Sequence, residues 1–321
     1  MNKIHIITQA YNAEKFLSRM IDSVLSQSYK NFSFYILDSN STDNTMDIIK
    51  DYARKDKRII PLHNDYNNKY TAYMEKIPNI IKNANENDYF MMIDHDDSYH
   101  YDAFEKLVTF LEDNNLDLTI GKIKYIDTEN KNNNNEPMKE GNKIYKRENY
   151  AFNFPAYQKW IRSVWNKVIP IRILKKCNFE KTITMKFASD TSFMLEVIKN
   201  TNSFGVLDES TINYSYSPSS LSYQFYKERI NDGEILFSLM YDFLCSFGPI
   251  TNYNRSYLLQ IYLNSIRSTI EFITKQVPDL ATQIEYKKQI FASPLTIETF
   301  LLPDIPLIEK YSLMYIILNT K

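Results

Sequence analysis

The stretch Tyr89-Phe90-Met91-Met92-Ile93-Asp94-His95-Asp96-Asp97 decides how the N-terminal half is read. Five apolar residues run without a break and then give way to three carboxylates in four positions. An apolar run of that length is a strand buried on both faces, as in the middle of a parallel sheet covered by helices. The carboxylates then stand at the carboxyl end of that strand. On either side the chain alternates between short β-type runs and helical periodicity. Residues 4–8, 32–37, 58–62 and 118–125 read as strands. Between them, Phe16, Leu17, Met20, Ile21, Val24 and Leu25 fall on one helical face, with Asn12 as the candidate cap. Ile48, Ile49 and Tyr52 mark a second helix after the cap candidates Ser41, Thr42 and Asp43. A third helix is expected around residues 70–84, bent by Pro78, and a fourth carries Phe104, Leu107, Val108 and Leu111.

Such alternation implies right-handed βαβ units and a mostly parallel sheet flanked by helices, an α/β fold. Ligands of open α/β sheets sit beyond the carboxyl ends of the strands. The residues to watch are therefore Gln9, Tyr11 and Asn12, then Asp38 to Asn40, then Asp94 to Ser98.

Composition excludes several classes. Thirty-eight Lys and Arg balance 39 Asp and Glu, so the broad basic excess of a nonspecific nucleic-acid binder is missing. With 44% hydrophobic and 24% charged residues, the chain of 321 has ample core and is not a disordered one. Only 5 glycines occur, and neither GxGxxG nor GxxxxGK[ST] is present, which disfavours a Rossmann dehydrogenase and a P-loop NTPase. Cys177 and Cys245 lack CxxC spacing and suit a reducing compartment. Neither a signal peptide nor a stretch long and apolar enough to span a membrane is read in the sequence.

The polar, asparagine-rich residues 127–149 read as a solvated loop. From about Phe225 onward the pattern is helical, with Phe237, Met240, Tyr241 and Leu244 on one face and Leu258, Tyr262 and Ile266 on another. The expected division is 1–224 and 225–321.

Chemistry concentrates at two strand ends. Asp94, Asp96 and Asp97 repel one another unless a positive charge joins them, and hard cations such as Mg²⁺ and Mn²⁺ prefer oxygen donors. A solvated acidic turn is the plain alternative. Asp38, within Asp38-Ser39-Asn40-Ser41-Thr42-Asp43, can accept hydrogen bonds from a base or ribose, while turn chemistry accounts for Ser41 to Asp43.

Four motifs in order, Ile6-Ile7-Thr8-Gln9-Ala10-Tyr11-Asn12, Ser23 to Tyr29, Asp38 to Thr45 and Asp94-His95-Asp96-Asp97, resemble the family 2 glycosyltransferases with the GT-A fold. Val164-Trp165-Asn166-Lys167 is similar to the VWNK segment of bacterial members. Phe187 to Phe193 resembles their G-E-D-x-x-F segment, and Tyr214 to Ser222 the aromatic-then-serine stretch, so the resemblance covers about residues 1–224. It implies that Gln9, Tyr11 and Asp38 hold the uracil of a UDP-sugar. Asp94 and Asp96 are the D-x-D pair for ribose and a Mn²⁺ or Mg²⁺ ion, with Asp96 the principal ligand. Asp190 is the implied catalytic base, and Asp97 belongs to loop structure or the acceptor side.

The implied reaction is an inverting transfer to a hydroxyl of a glycan, lipid-linked or glycoprotein acceptor, in surface polysaccharide or glycoprotein glycan synthesis. The expected place is the cytoplasm or the inner face of the membrane, with peripheral membrane contact and a homodimer as further expectations and no nucleic-acid partner. Several positions depart from the family pattern: Gln9 for Pro, Ser39 for a second aspartate, and Ala188-Ser189 for Gly-Glu. The family's A-R-N segment corresponds to residues 67–74, where no arginine stands and Lys69 or Lys76 is the candidate substitute. These departures motivate a second reading, a catalytically degenerate partner subunit on the same fold. Trp160 and Trp165 are candidates for sugar stacking, against the simpler expectation of core packing.

Overall fold

The computed structural model describes residues 1–66, 71–127, 139–216 and 224–301. The chain divides into two compact units. The first comprises residues 1–149, 160–184 and 189–217; the second comprises 150–159, 185–188 and 218–321.

In the first unit, β1 (Ile4–Ala10), β2 (Phe32–Asp38), β3 (Ile59–His63) and β4 (Tyr89–Met92) lie parallel in the order β3-β2-β1-β4. Helices α1 (Leu17–Leu25), α2 (Thr45–Lys55) and α3 (Ala72–Lys82) connect them. Every residue of β4 is buried, as its unbroken apolar run requires. Beyond β5 (Ser98–Tyr99), α4 (Ala103–Asp113) and β6 (Thr119–Asp127), the sheet stops being parallel. The four-residue β8 (Lys167–Pro170) is inserted between β4 and β6 and runs antiparallel to both. The long β9 (Ser203–Tyr216) pairs with β6 in parallel and with β5 and β7 (Lys143–Lys146) in antiparallel fashion. The sheet is therefore mixed. β1 to β4 run parallel, as do β6 and β9, while β8 runs against both of its neighbours and β9 against β5 and β7.

Two local expectations need correction. Asn12 does not cap α1; it sits in the left-handed region at φ 48°, and its Oδ1 accepts from the Thr42 N–H at 2.9 Å. Its own N–H donates to Ser41 Oγ at 3.0 Å, so it stitches the loop after β1 to the loop after β2, and α1 starts five residues later. Residues 127–149 are not all loop: β7 lies among them, and residues 128–138 fall outside the described ones. One aromatic anchors β7, since Tyr145 is buried and stacks on Phe204 with centroids 4.9 Å apart.

The remaining helices of the first unit are α6 (Ile171–Leu174), α7 (Glu180–Ile183) and α8 (Ser189–Lys199). The second unit holds α5 (Tyr150–Tyr157), α9 (Arg229–Cys245), α10 (Asn252–Gln276), α11 (Leu280–Ala292) and α12 (Pro294–Leu301). Thr251 and Asp279 cap α10 and α11 through their side chains. Its core gathers Tyr262, Leu263, Ile266, Ile270, Ile273 and Ile290. Part of the expected C-terminal helical region, residues 302–321, lies outside the described ones. Among the described residues no helix is long and apolar enough to cross a membrane.

Candidate active site

The carboxyl ends of β1, β2 and β4 collect the residues singled out above. Asp38 ends β2 and is 1% exposed. Its carboxylate accepts the Ser41 N–H at 3.2 Å, and His63 Nδ1, at the end of β3, lies 3.0 Å from Asp38 Oδ2. His63 Nε2 in turn lies 3.3 Å from Asp65. Sequence reasoning missed His63, because its only signal is the last place in a strand parallel to β2. Tyr11 is half-buried in the loop after β1. Gln9 directs its side chain to α3, where its Oε1 accepts the Tyr73 N–H at 3.0 Å. That N–H is one of the orphan donors of the first turn of α3. The α3 cap residue Thr71 makes no side-chain cap hydrogen bond; its Oγ1 donates to the Ile183 carbonyl at 3.1 Å.

Tyr73 links this end to the next. It is 2% exposed, and its hydroxyl donates to Asp190 Oδ1 at 3.3 Å. It stands in the segment where the family arginine was sought. Lys69 lies outside the described residues, and Lys76 is half-buried on α3.

Asp190 lies in the first turn of α8 and does not cap that helix. Besides Tyr73, it accepts the Val164 N–H and feels the charge of Lys167. Burial raises its pKa above the ordinary carboxylate range, and these three partners oppose the rise. The preceding Ala188 holds φ 55°, a left-handed conformation natural to the glycine that the family pattern carries there.

Asp94 and Asp96 follow β4. Burial raises the Asp94 pKa well above its usual value, and repulsion from Asp96 and Asp190 adds to it. Asp94 thus lies within electrostatic reach of both Asp96 and Asp190. Asp97 is fully buried and turns to structure, with Oδ1 accepting the Ser215 N–H at 2.9 Å. Arg19, on the first turn of α1, donates to the Asp96 carbonyl and to Ser215 Oγ at 2.9 Å. It ties the acidic turn to the end of β9, and a lone arginine on a helix gave no signal of that role. Among the described residues no group of three or more His, Cys, Asp or Glu side chains could hold a metal. Two oxygen donors, Asp94 and Asp96, nevertheless fit the pattern in which a hard cation takes one or two carboxylates and completes its shell with substrate phosphates and water.

Trp165 is core. It is 8% exposed and stacks on Tyr214 at 5.4 Å and 19°. Asn166, at φ 62°, accepts from Thr211 Oγ1 at 2.6 Å and donates to the Lys122 carbonyl at 3.0 Å. The VWNK segment is thereby sewn into the sheet at both its backbone and its side chains.

A strand-end acidic pair, a second strand-end aspartate and a buried aspartate on α8 sit inside a stretch that matches a known family model. That model, Glycosyl transferase family 2, matches residues 5–194. The chain belongs to glycosyl transferase family 2. This family 2 enzyme is 28% identical over 217 residues to the uncharacterised glycosyltransferase MJ1057 of Methanocaldococcus jannaschii, a match covering 66% of this chain and 70% of the relative. It is 28% identical over 126 residues to a poly(ribitol-phosphate) beta-glucosyltransferase of Bacillus spizizenii, covering 39% of this chain and 19% of that one. The glycosyltransferase thus spans only part of the length of these curated relatives. The crystal structure of S. aureus TarS 1-349 in complex with UDP-GlcNAc superposes with a TM-score of 0.65 at 16% identity, covering 99% of this chain and 89% of that 1-349 chain. The family 2 enzyme therefore has the same GT-A-like fold, with its C-terminal helices.

Proposed function

We propose that this glycosyltransferase moves a sugar from a UDP-sugar to a hydroxyl of a glycan acceptor in surface polysaccharide synthesis, with inversion at the anomeric carbon. The observation that carries the reading is the acidic pair at the end of β4, whose Asp94 lies within electrostatic reach of both Asp96 and Asp190 on α8. The UDP and UDP-GlcNAc bound to S. aureus TarS, and the poly(ribitol-phosphate) beta-glucosyltransferase relative, support the donor and acceptor classes.

Tyr11 and Asp38 hold the uracil, with His63 fixing the Asp38 carboxylate. Gln9 contributes through its main chain, because its side chain serves α3. Asp96, with Asp94, would hold Mn²⁺ or Mg²⁺, which when bound would supply electrostatic stabilisation of the leaving diphosphate. Asp190 faces the acceptor. It takes the proton of the attacking hydroxyl as that oxygen bonds to the anomeric carbon and the bond from that carbon to the diphosphate oxygen breaks. The carboxylate is the active form, so a raised pKa makes Asp190 a stronger base near neutral pH.

The test is a panel of UDP-sugars with Mn²⁺, read as UDP release with and without glycan acceptors. Asp96→Ala should abolish release, and Asp190→Asn should abolish transfer while leaving thermal protection by UDP intact. An EDTA-insensitive protein that stays active as Asp96→Ala defeats the metal assignment. Equal protection by GDP defeats the uracil site.

A further inference from the structure

Tyr73 takes no part in the chemistry above, yet it spends a buried hydroxyl on the first turn of α3. A buried hydroxyl costs free energy unless it is hydrogen-bonded, and a phenylalanine would fill the same slot without that cost. The one acceptor of the Tyr73 hydroxyl among the described residues is Asp190 Oδ1, 3.3 Å away and 117 residues along the chain. The hydroxyl therefore points to a use at that carboxylate.

The turn that carries the ring is fastened on both sides. Gln9 Oε1, near the carboxyl end of β1, accepts the Tyr73 N–H at 3.0 Å. Thr71 Oγ1 donates to the carbonyl of Ile183, the last residue of α7. Thr182 Oγ1 and Ser192 Oγ, buried and 2.8 Å apart, join α7 in turn to α8, the helix of Asp190. Two departures from the family pattern meet in this arrangement. Gln9 stands in place of Pro, which has no side-chain acceptor, and Tyr73 lies in residues 67–74, the counterpart of the A-R-N segment. The link from Gln9 through Tyr73 to Asp190 is thus made by residues particular to this chain. Asp190 also accepts the Val164 N–H. Two donors from different elements hold a carboxylate that one alone would leave free to turn about its Cβ–Cγ bond.

We propose that Tyr73 is a positioning residue for the transfer: its hydroxyl fixes the Asp190 carboxylate for the acceptor hydroxyl, and Gln9 anchors it to the strand that leads into the Tyr11 loop. This rests on the assignment of Asp190 as the base, so the experiment includes a variant that tests that assignment separately. Tyr73→Phe and Asp190→Asn are compared with the parent, using Mn²⁺, a glycan acceptor and the UDP-sugar that gives most UDP release in the panel. Tyr73→Phe keeps the ring and deletes only the donor. It should lower turnover at saturating donor by about 10-fold, the cost of a loosened catalytic group. The donor KM should stay within about twofold, and the rise in melting temperature with UDP should match the parent's, because the hydroxyl acts on the acceptor side. Parent-like turnover in Tyr73→Phe beside an Asp190→Asn that has lost transfer overturns the proposal alone. A fall in turnover accompanied by a raised donor KM and weaker protection by UDP shows a general structural role and also overturns it. Parent-like turnover in Asp190→Asn overturns the base assignment, and this proposal with it.

Discussion

Replacing Gly121 with alanine should be among the most damaging single changes in the sheet. Gly121 lies on β6 where the register with β9 slips, and its N–H donates to the Asn166 carbonyl at 3.0 Å. A Cβ built there would stand 2.0 Å from Thr211 Oγ1, 2.8 Å from Asn166 Nδ2 and 3.0 Å from Asn166 Oδ1. Those atoms cannot simply swing aside, because Thr211 donates to Asn166 Oδ1 and Asn166 Nδ2 donates to the Lys122 carbonyl, all of it buried. Overpacking costs about 1–3 kcal/mol. Leaving one or two buried polar groups without a partner adds about 1–3 kcal/mol each. The expected loss is therefore about 2–9 kcal/mol, a large share of the total stability of a domain. Urea titration followed by circular dichroism, with the m-value checked for constancy, measures it. Thr211→Ala deletes the atom met at 2.0 Å, so the double variant should recover about 1–2 kcal/mol relative to additivity. A Gly121→Ala protein within about 1 kcal/mol of the parent, or a pair that is strictly additive, would refute the reasoning.

Ala188→Gly should stabilise by about 0.5–1 kcal/mol, since relief of the left-handed strain at φ 55° exceeds the added freedom of the unfolded chain; thermal melting checks it. The Lys167 pKa is lowered to about 7 from 10.5, so above pH 7 the folded state has released a proton that the unfolded state keeps. Stability should therefore rise with pH between about 7 and 10, on the order of a few kcal/mol, and Lys167→Met should flatten that rise in urea titrations run across the range. His63→Ala removes the partner 3.0 Å from Asp38 and should weaken UDP binding about fivefold in calorimetry, the net worth of one hydrogen bond. Unchanged affinity would free Asp38 from dependence on His63.

Much of the fold could be read because burial and periodicity agree. Residues 89–92 of the apolar run form a fully buried strand with Ile93 buried just beyond it, and Leu17, Met20, Ile21 and Val24 face the core as their spacing requires. What escaped was set by long-range partners. Lys143-Ile144-Tyr145-Lys146 looks like loop until Phe204 stands opposite Tyr145. Asn12 has the composition of a cap, but its side chain is taken by a loop 30 residues away in sequence. At the candidate site the acidic turn was visible because three carboxylates cluster in sequence. Tyr73, His63 and Arg19 were not assigned, since each contacts a residue far along the chain: Tyr73 at Asp190, His63 at Asp38 and Arg19 at the Asp96 carbonyl.

The short strand β8 carries one more implication. It is hydrogen-bonded on both sides, to β4 and to β6. A slip of a single residue would send Lys167 to the opposite face of the sheet and carry Val164 and Asn166 with it. Insertions and deletions within 164–170 should therefore be almost absent from functional variants of this chain. Diversification toward new acceptors has to enter through segments that are not pinned on two edges, which makes this strand a natural boundary for recombining halves of related enzymes.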